Sequence, residues 1–141
     1  MVIRTRSARD TRKVAALLAS SIKAPAVIAL EGNLGSGKTT FVQGFAAALG
    51  VKENVLSPTF VLMRTYQLKR FKRFKHLIHV DCYRLDSPQD LLHLGFKSLL
   101  QDRDAIILIE WADRVRQLMP KDAFWIKFKH GKKPRERIIV Y

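Results

Sequence analysis

Ala26-Val27-Ile28-Ala29-Leu30-Glu31-Gly32-Asn33-Leu34-Gly35-Ser36-Gly37-Lys38-Thr39-Thr40-Phe41 is the stretch that decides the fold. Its first five residues form a short apolar run of the kind that becomes a strand buried on both faces. Residues 32–39 then match the phosphate-loop pattern G-x-x-x-x-G-K-[ST] without a mismatch. From Lys38 to Leu49 the spacing predicts a helix, with Phe41, Phe45 and Leu49 four residues apart and Gly50 placed to stop it. A chance glycine-rich turn would have no reason to carry both the preceding strand and the following helix.

The residue types in this stretch have a chemical reason. Glycines at 32, 35 and 37 let the backbone take positive φ and approach an anion without Cβ clashes. The exposed N–H groups and the positive end of the helix dipole then suit α- and β-phosphates. Lys38 has the reach to meet the β- and γ-phosphates, and the Thr39 hydroxyl suits Mg²⁺. The stretch therefore implies a bound nucleoside triphosphate.

The bulk of the chain agrees with a small nucleotide-binding unit. At 141 residues and 48% hydrophobic, residues 1–141 suit one domain with a proper core, leaving little room for a separate substrate domain or lid. No apolar run reaches the length of a membrane span, and Met1-Val2-Ile3-Arg4 lacks a signal-peptide pattern, so the expectation is no membrane. A single cysteine, Cys82, rules out an internal disulfide framework and fits a reducing cytoplasm. A net charge of +14 and a pI near 10.4 favour polyanions or an acidic partner surface.

Two further strands are expected to end in a carboxylate. Leu77-Ile78-His79-Val80-Asp81 and Ala105-Ile106-Ile107-Leu108-Ile109-Glu110 are apolar runs that each close on an acid, with Trp111 after the second. Functional groups in open α/β sheets gather at the carboxyl ends of strands. An acid delivered there can hold Mg²⁺ or orient an attacking water. Two such strands beside one phosphate loop make Asp81 and Glu110 candidate metal ligands.

The remaining segments frame these elements. Val2-Ile3-Arg4-Thr5 suits an edge strand, and Ser7 or Asp10 suits the cap of a helix reaching about Ile22, with Val14, Leu17, Leu18 and Ile22 on one face. In Ser57-Pro58-Thr59-Phe60, Pro58 fixes a turn that displays Thr59 before a strand over 60–67. A loop hydroxyl so placed serves either as a switch ordered by Mg²⁺ and the γ-phosphate or as an ordinary strand start. Leu68 to Leu77 interleaves apolar residues with cations and reads first as a hairpin connection, second as a basic amphipathic turn meeting an anion. Ser87-Pro88-Gln89-Asp90 starts a helix. A short helix is expected over 112–119, and strands over 124–129 and 137–141, joined through Gly131 and Pro134. Histidines 76, 79, 93 and 130 show no zinc spacing, and Cys82 reads as a small buried hydrophobe within a strand.

Taken together, 31–41, Ser57-Pro58-Thr59-Phe60, His79-Val80-Asp81-Cys82-Tyr83-Arg84-Leu85 and Ile109-Glu110-Trp111 resemble the TsaE (YjeE) family of small bacterial ATPases. Leu94-Gly95-Phe96 and Pro120 fit its order as well, so the resemblance covers nearly the whole chain. It implies an α/β, single-domain P-loop NTPase fold with a mostly parallel central sheet, flanking helices and antiparallel hairpin additions. It implies ATP held by Asn33, Leu34, Gly35, Ser36, Gly37, Lys38, Thr39 and Thr40, with Arg135 approaching from the C-terminal hairpin. Thr39 and Glu110 would hold Mg²⁺, Asp81 would be a metal-shell or catalytic acid, and Thr59 would be switch-like. Trp111 would lie at the nucleotide pocket or the partner face. The implied activity is ATP hydrolysis that acts on a TsaB–TsaD pair in tRNA threonylcarbamoyladenosine synthesis. The basic 68–77 stretch and the high charge depart from that pattern; they leave the nucleotide site untouched and point to the partner or the tRNA backbone.

Three other classes compete. A small-molecule P-loop kinase needs an acceptor pocket and usually a lid, for which the length leaves little space. A GTPase normally needs Asn-Lys-x-Asp, and neither Asn33 nor Asn54 precedes a lysine. A nucleic-acid-binding module without catalysis leaves the two strand-end acids unexplained.

Overall fold

Successive side chains of a strand leave on opposite faces, so an unbroken apolar run needs cover on both. In the computed structural model, which describes residues 1–56, 62–69 and 73–141, that cover is present. Strand β2 (Ala26–Gly32) sends Ile28 and Leu30 into one core layer and Ala29 into another. Strand β5 (Ala105–Glu110) divides in the same way, with Ile106 and Leu108 on one face and Ile107 and Ile109 on the other.

The strands add β1 (Val2–Thr5), β3 (Met63–Gln67), β4 (His76–Asp81), β6 (Phe124–His130) and β7 (Arg137–Val140). Among the described residues they form one seven-stranded sheet in the order β1-β7-β6-β2-β5-β4-β3. β2 pairs in parallel with β5 and β6, and β5 in parallel with β4. The outer pairs β3–β4, β6–β7 and β1–β7 are antiparallel. The fold is thus α/β of the P-loop NTPase kind, with hairpin additions at both edges.

Helices α1 (Ala8–Ser21) and α2 (Lys38–Ala48) cover one face. Helices α3 (Pro88–His93) and α4 (Phe96–Leu99) and a 3₁₀ helix (Ala112–Leu118) cover the other. Ser7 caps α1 by accepting from the Asp10 N–H at 3.1 Å, and Ser87 with Asp90 forms a reciprocal capping box at α3. Leu68 N–H donates to the Lys75 carbonyl at 2.8 Å and closes the β3–β4 hairpin, with Leu68 and Phe74 in the core. The basic stretch is therefore a hairpin connection as far as it is described; residues 70–72 lie outside the described residues.

Several sequence expectations are corrected. Leu17 is 74% exposed rather than on the buried face of α1. The buried stripe runs through Thr11, Ala15 and Ala19, because the small alanines let α1 lie close against α2. Cys82 is buried but lies just past the end of β4, not within a strand. The segment after Trp111 is a 3₁₀ helix with a non-helical break at Val115.

Candidate functional site

The site is built where β2, β4 and β5 end in parallel beside the start of α2. Gly35 and Gly37 have φ of +72° and +102°, values that L side chains rarely adopt, so the loop can wrap tightly into the first turn of α2. Ser36 N–H closes the loop on the Asn33 carbonyl at 3.1 Å. Arg137 of β7 steadies it from outside, its Nε donating to the Gly35 carbonyl at 3.0 Å.

Lys38 is the most confined cation of the cleft, only 4% exposed. Its ammonium donates to the carbonyls of Gly32 at 2.6 Å and Asn33 at 3.0 Å, and stands 4.0 Å from the centroid of the Trp111 ring. Burial pushes its pKa below the ordinary lysine value, while Glu110, Asp81 and Asp113 work in the opposite direction.

The acids meet by register. Asp81 at the end of β4 pairs directly with Glu110 at the end of β5, and both are buried. By strand alternation both point to the α2 face, as do Leu77, Ile106 and Leu108. Thr39 Oγ1 donates to Glu110 at 2.9 Å to Oε2 and 3.2 Å to Oε1. His79, wholly buried, places its Nε2 2.8 Å from Glu110 Oε1. Asp81 Oδ1 accepts from the Tyr83 N–H at 2.9 Å.

These groups open onto a cleft of about 700 Å³ whose rim includes Leu34, Tyr83, Arg84, Trp111, Arg135 and Arg137, with Ser7, Ala8 and Arg9 from the start of α1. Tyr83 and Trp111 pack with their ring planes tilted by 38° and their centroids 4.9 Å apart, and the Arg114 guanidinium lies 5.2 and 5.3 Å from their respective centroids.

A triphosphate and a hard cation fit this donor set. Ser36 Oγ is buried in the loop with no hydrogen-bond partner, and the loop carries a buried cation. The oxygens of Thr39, Glu110 and Asp81 are of the hard type that Mg²⁺ prefers, and Mg²⁺ needs few protein ligands because it keeps its waters. Among the described residues no cluster of three or more His, Cys, Asp or Glu forms a metal cage.

The family model described as threonylcarbamoyl adenosine biosynthesis protein TsaE matches residues 5–139. The chain belongs to the TsaE family. It is similar to the tRNA threonylcarbamoyladenosine biosynthesis protein TsaE of Rickettsia felis, 39% identical over 111 residues, or 78% of this chain and 61% of that one. It is also similar to the protein of the same name from Bacillus subtilis, 34% identical over 128 residues, covering 91% of this chain and 77% of the relative. The chain spans about three fifths of the Rickettsia felis and Rickettsia conorii relatives it matches, 61% and 62%. Among solved structures, the crystal structure of Bacillus subtilis YdiB superposes with a TM-score of 0.80 at 31% identity, covering 99% of this chain and 82% of that one.

In this TsaE-family chain, the sequence candidates Gly35, Ser36, Gly37, Lys38, Thr39, Thr40, Asp81, Glu110 and Arg135 line one cleft, with Leu34 exposed at its edge. Asn33 does not line it and contributes its carbonyl to Lys38 instead. Thr59 lies outside the described residues. Sequence reasoning missed His79 and Arg137. The period-two parity shared by His79 and Asp81 puts both on one face of β4 without saying what His79 meets, and Arg137 had no local signal.

Proposed function

We propose that this chain binds ATP with Mg²⁺ and hydrolyses it to ADP and phosphate, in support of tRNA threonylcarbamoyladenosine modification. The observation that carries the proposal is the meeting of the Thr39 hydroxyl with Glu110, next to Asp81 and beside the buried Lys38. The loop N–H groups from Gly35 to Thr40 would hold phosphate oxygens, and Lys38 would exchange its two carbonyl partners for them. Thr39 and Glu110, with Asp81, would hold the Mg²⁺, which when bound neutralises charge developing on the phosphates. Arg135 stands on the cleft rim, where a guanidinium can meet a phosphate. Thr59 keeps its proposed switch role on sequence alone.

The printed names of the relatives support the pathway. The partners we propose are homologues of the TsaB–TsaD pair, met in the cytoplasm, with exposed cations such as Lys69 and Arg73 facing an acidic partner surface or the tRNA backbone. No helix among the described residues is long and apolar enough to cross a membrane.

Steady phosphate release from ATP and Mg²⁺, with no acceptor added and a rise on adding TsaB–TsaD homologues, is the expected result. Release that appears only with a small-molecule acceptor, the phosphoryl group appearing on it, would replace hydrolysis with a kinase reaction.

A further inference from the structure

Glu110 is gripped from two sides. Thr39 donates to it from α2, and His79 meets it within the sheet at 2.8 Å. His79 pairs with Leu108 two residues behind the Asp81–Glu110 pair, so by alternation it lies diagonally behind Glu110 on the same face. Its neighbours on that face, Leu77 and Leu108, are apolar and fully buried. A leucine would fill such a position without leaving any polar atom unmatched. Instead the imidazole keeps Nδ1 buried with no partner. An orphaned N–H is worse satisfied than a bare lone pair in that setting, which puts the proton on Nε2, donating to Glu110.

We infer that His79 is a positioning residue that fixes the Glu110 carboxylate in the orientation the metal requires. The inference rests on the function proposed above, because Glu110 needs holding only if it holds Mg²⁺. A carboxylate at a strand end rotates about its side-chain torsions; Thr39 restrains both oxygens from the cleft side, and His79 fixes Oε1 from behind. Were a cation to take the Thr39 oxygen as a ligand, that hydroxyl would keep its proton for Glu110, and His79 would hold Oε1 from within the sheet, so that the two donors together would fix the carboxylate. Such outer partners commonly contribute 10–100-fold to metal affinity.

The test compares His79→Met with His79→Gln, two side chains of nearly the same shape, of which only Gln keeps a donor near the Nε2 position. ADP binding is measured by calorimetry with and without Mg²⁺ on the full chain. The expected result is unchanged Mg²⁺-free affinity in all three proteins, loss of about 10–100-fold from the Mg²⁺-dependent gain in His79→Met, and its recovery in His79→Gln. A wild-type gain in His79→Met, or equal losses in both variants, overturns the inference. Wild-type ¹⁵N imidazole resonances give a second readout that needs no variant: a proton on Nε2 with Nδ1 bare supports it, and the opposite tautomer overturns it. Failure of wild-type protein to bind ADP with or without Mg²⁺ would overturn the proposed function itself, and this inference with it.

Discussion

The Lys38 ammonium rests against the face of Trp111, 4.0 Å from the ring centroid. Trp111 presents that face from a left-handed backbone, φ 56° and ψ 37°, at the start of the 3₁₀ helix. A non-glycine residue held there stores about 1–3 kcal/mol. In return the ring covers the phosphate-loop lysine while its proton donors sit on loop carbonyls.

This contact should report nucleotide binding. When Lys38 turns toward phosphate oxygens, the surroundings of the Trp111 ring change. In a Trp125→Phe background, Trp111 carries all the tryptophan emission. A shift in that emission on adding ADP is expected; an unchanged spectrum at saturating nucleotide would show that Lys38 keeps its contact with Trp111.

Glu110→Gln should separate binding from hydrolysis. The variant keeps the side-chain length and loses the negative charge at a site built around it. Mg²⁺-free ADP binding should change little, whereas steady-state hydrolysis should fall about 10²-fold or more, the scale of losing one charge-stabilising group at a reacting phosphate. Wild-type turnover in this variant would assign the metal role to another acid.

Gly44→Ala tests the close packing of α1 on α2. A Cβ on Gly44 would lie 2.5 Å from Arg12 Cα and 2.7 Å from its carbonyl oxygen. Alanine gains about 1 kcal/mol in helix propensity, but overpacking against backbone costs about 1–3 kcal/mol. The expected outcome is a lower urea midpoint, because neither contact atom can swing away as a side-chain tip would. A higher midpoint would mean that the two helices separate freely.

Glu136 should make part of the stability pH-dependent. Burial raises its carboxyl pKa, but the N–H groups of Lys133 and Lys132 and the Arg4 guanidinium together outweigh burial and hold it below the ordinary value of 4.5. A folded value below the unfolded one gives stability that is present above about pH 4.5 and is lost as pH falls through the folded value. Wild type should exceed Glu136→Gln in urea midpoint at neutral pH, and the gap should narrow well below pH 4.5. A gap independent of pH would mean that the carboxylate charge contributes nothing.

Much of this fold could be read from local spelling. The strand-loop-helix unit around residues 26–48 and both acid-ending strands follow from short patterns, since each feature depends on neighbours within a few positions. Leu17 misled because an apolar residue next to a stripe of small alanines looks like part of the stripe. His79 was out of reach for a different reason. Its meaning depends on the register between β4 and β5, which brings together residues 31 positions apart. Arg137 reaches the Gly35 carbonyl across 102 positions through two antiparallel strands, a contact that no local motif encodes.

The most direct test is calorimetric titration of wild type and Lys38→Ala with ATP and Mg²⁺. Saturable one-to-one binding by wild type and none by Lys38→Ala is expected, with both proteins giving the same far-ultraviolet circular dichroism. Equal binding by a folded Lys38→Ala variant would place the nucleotide somewhere other than this loop and overturn the proposed function of the site.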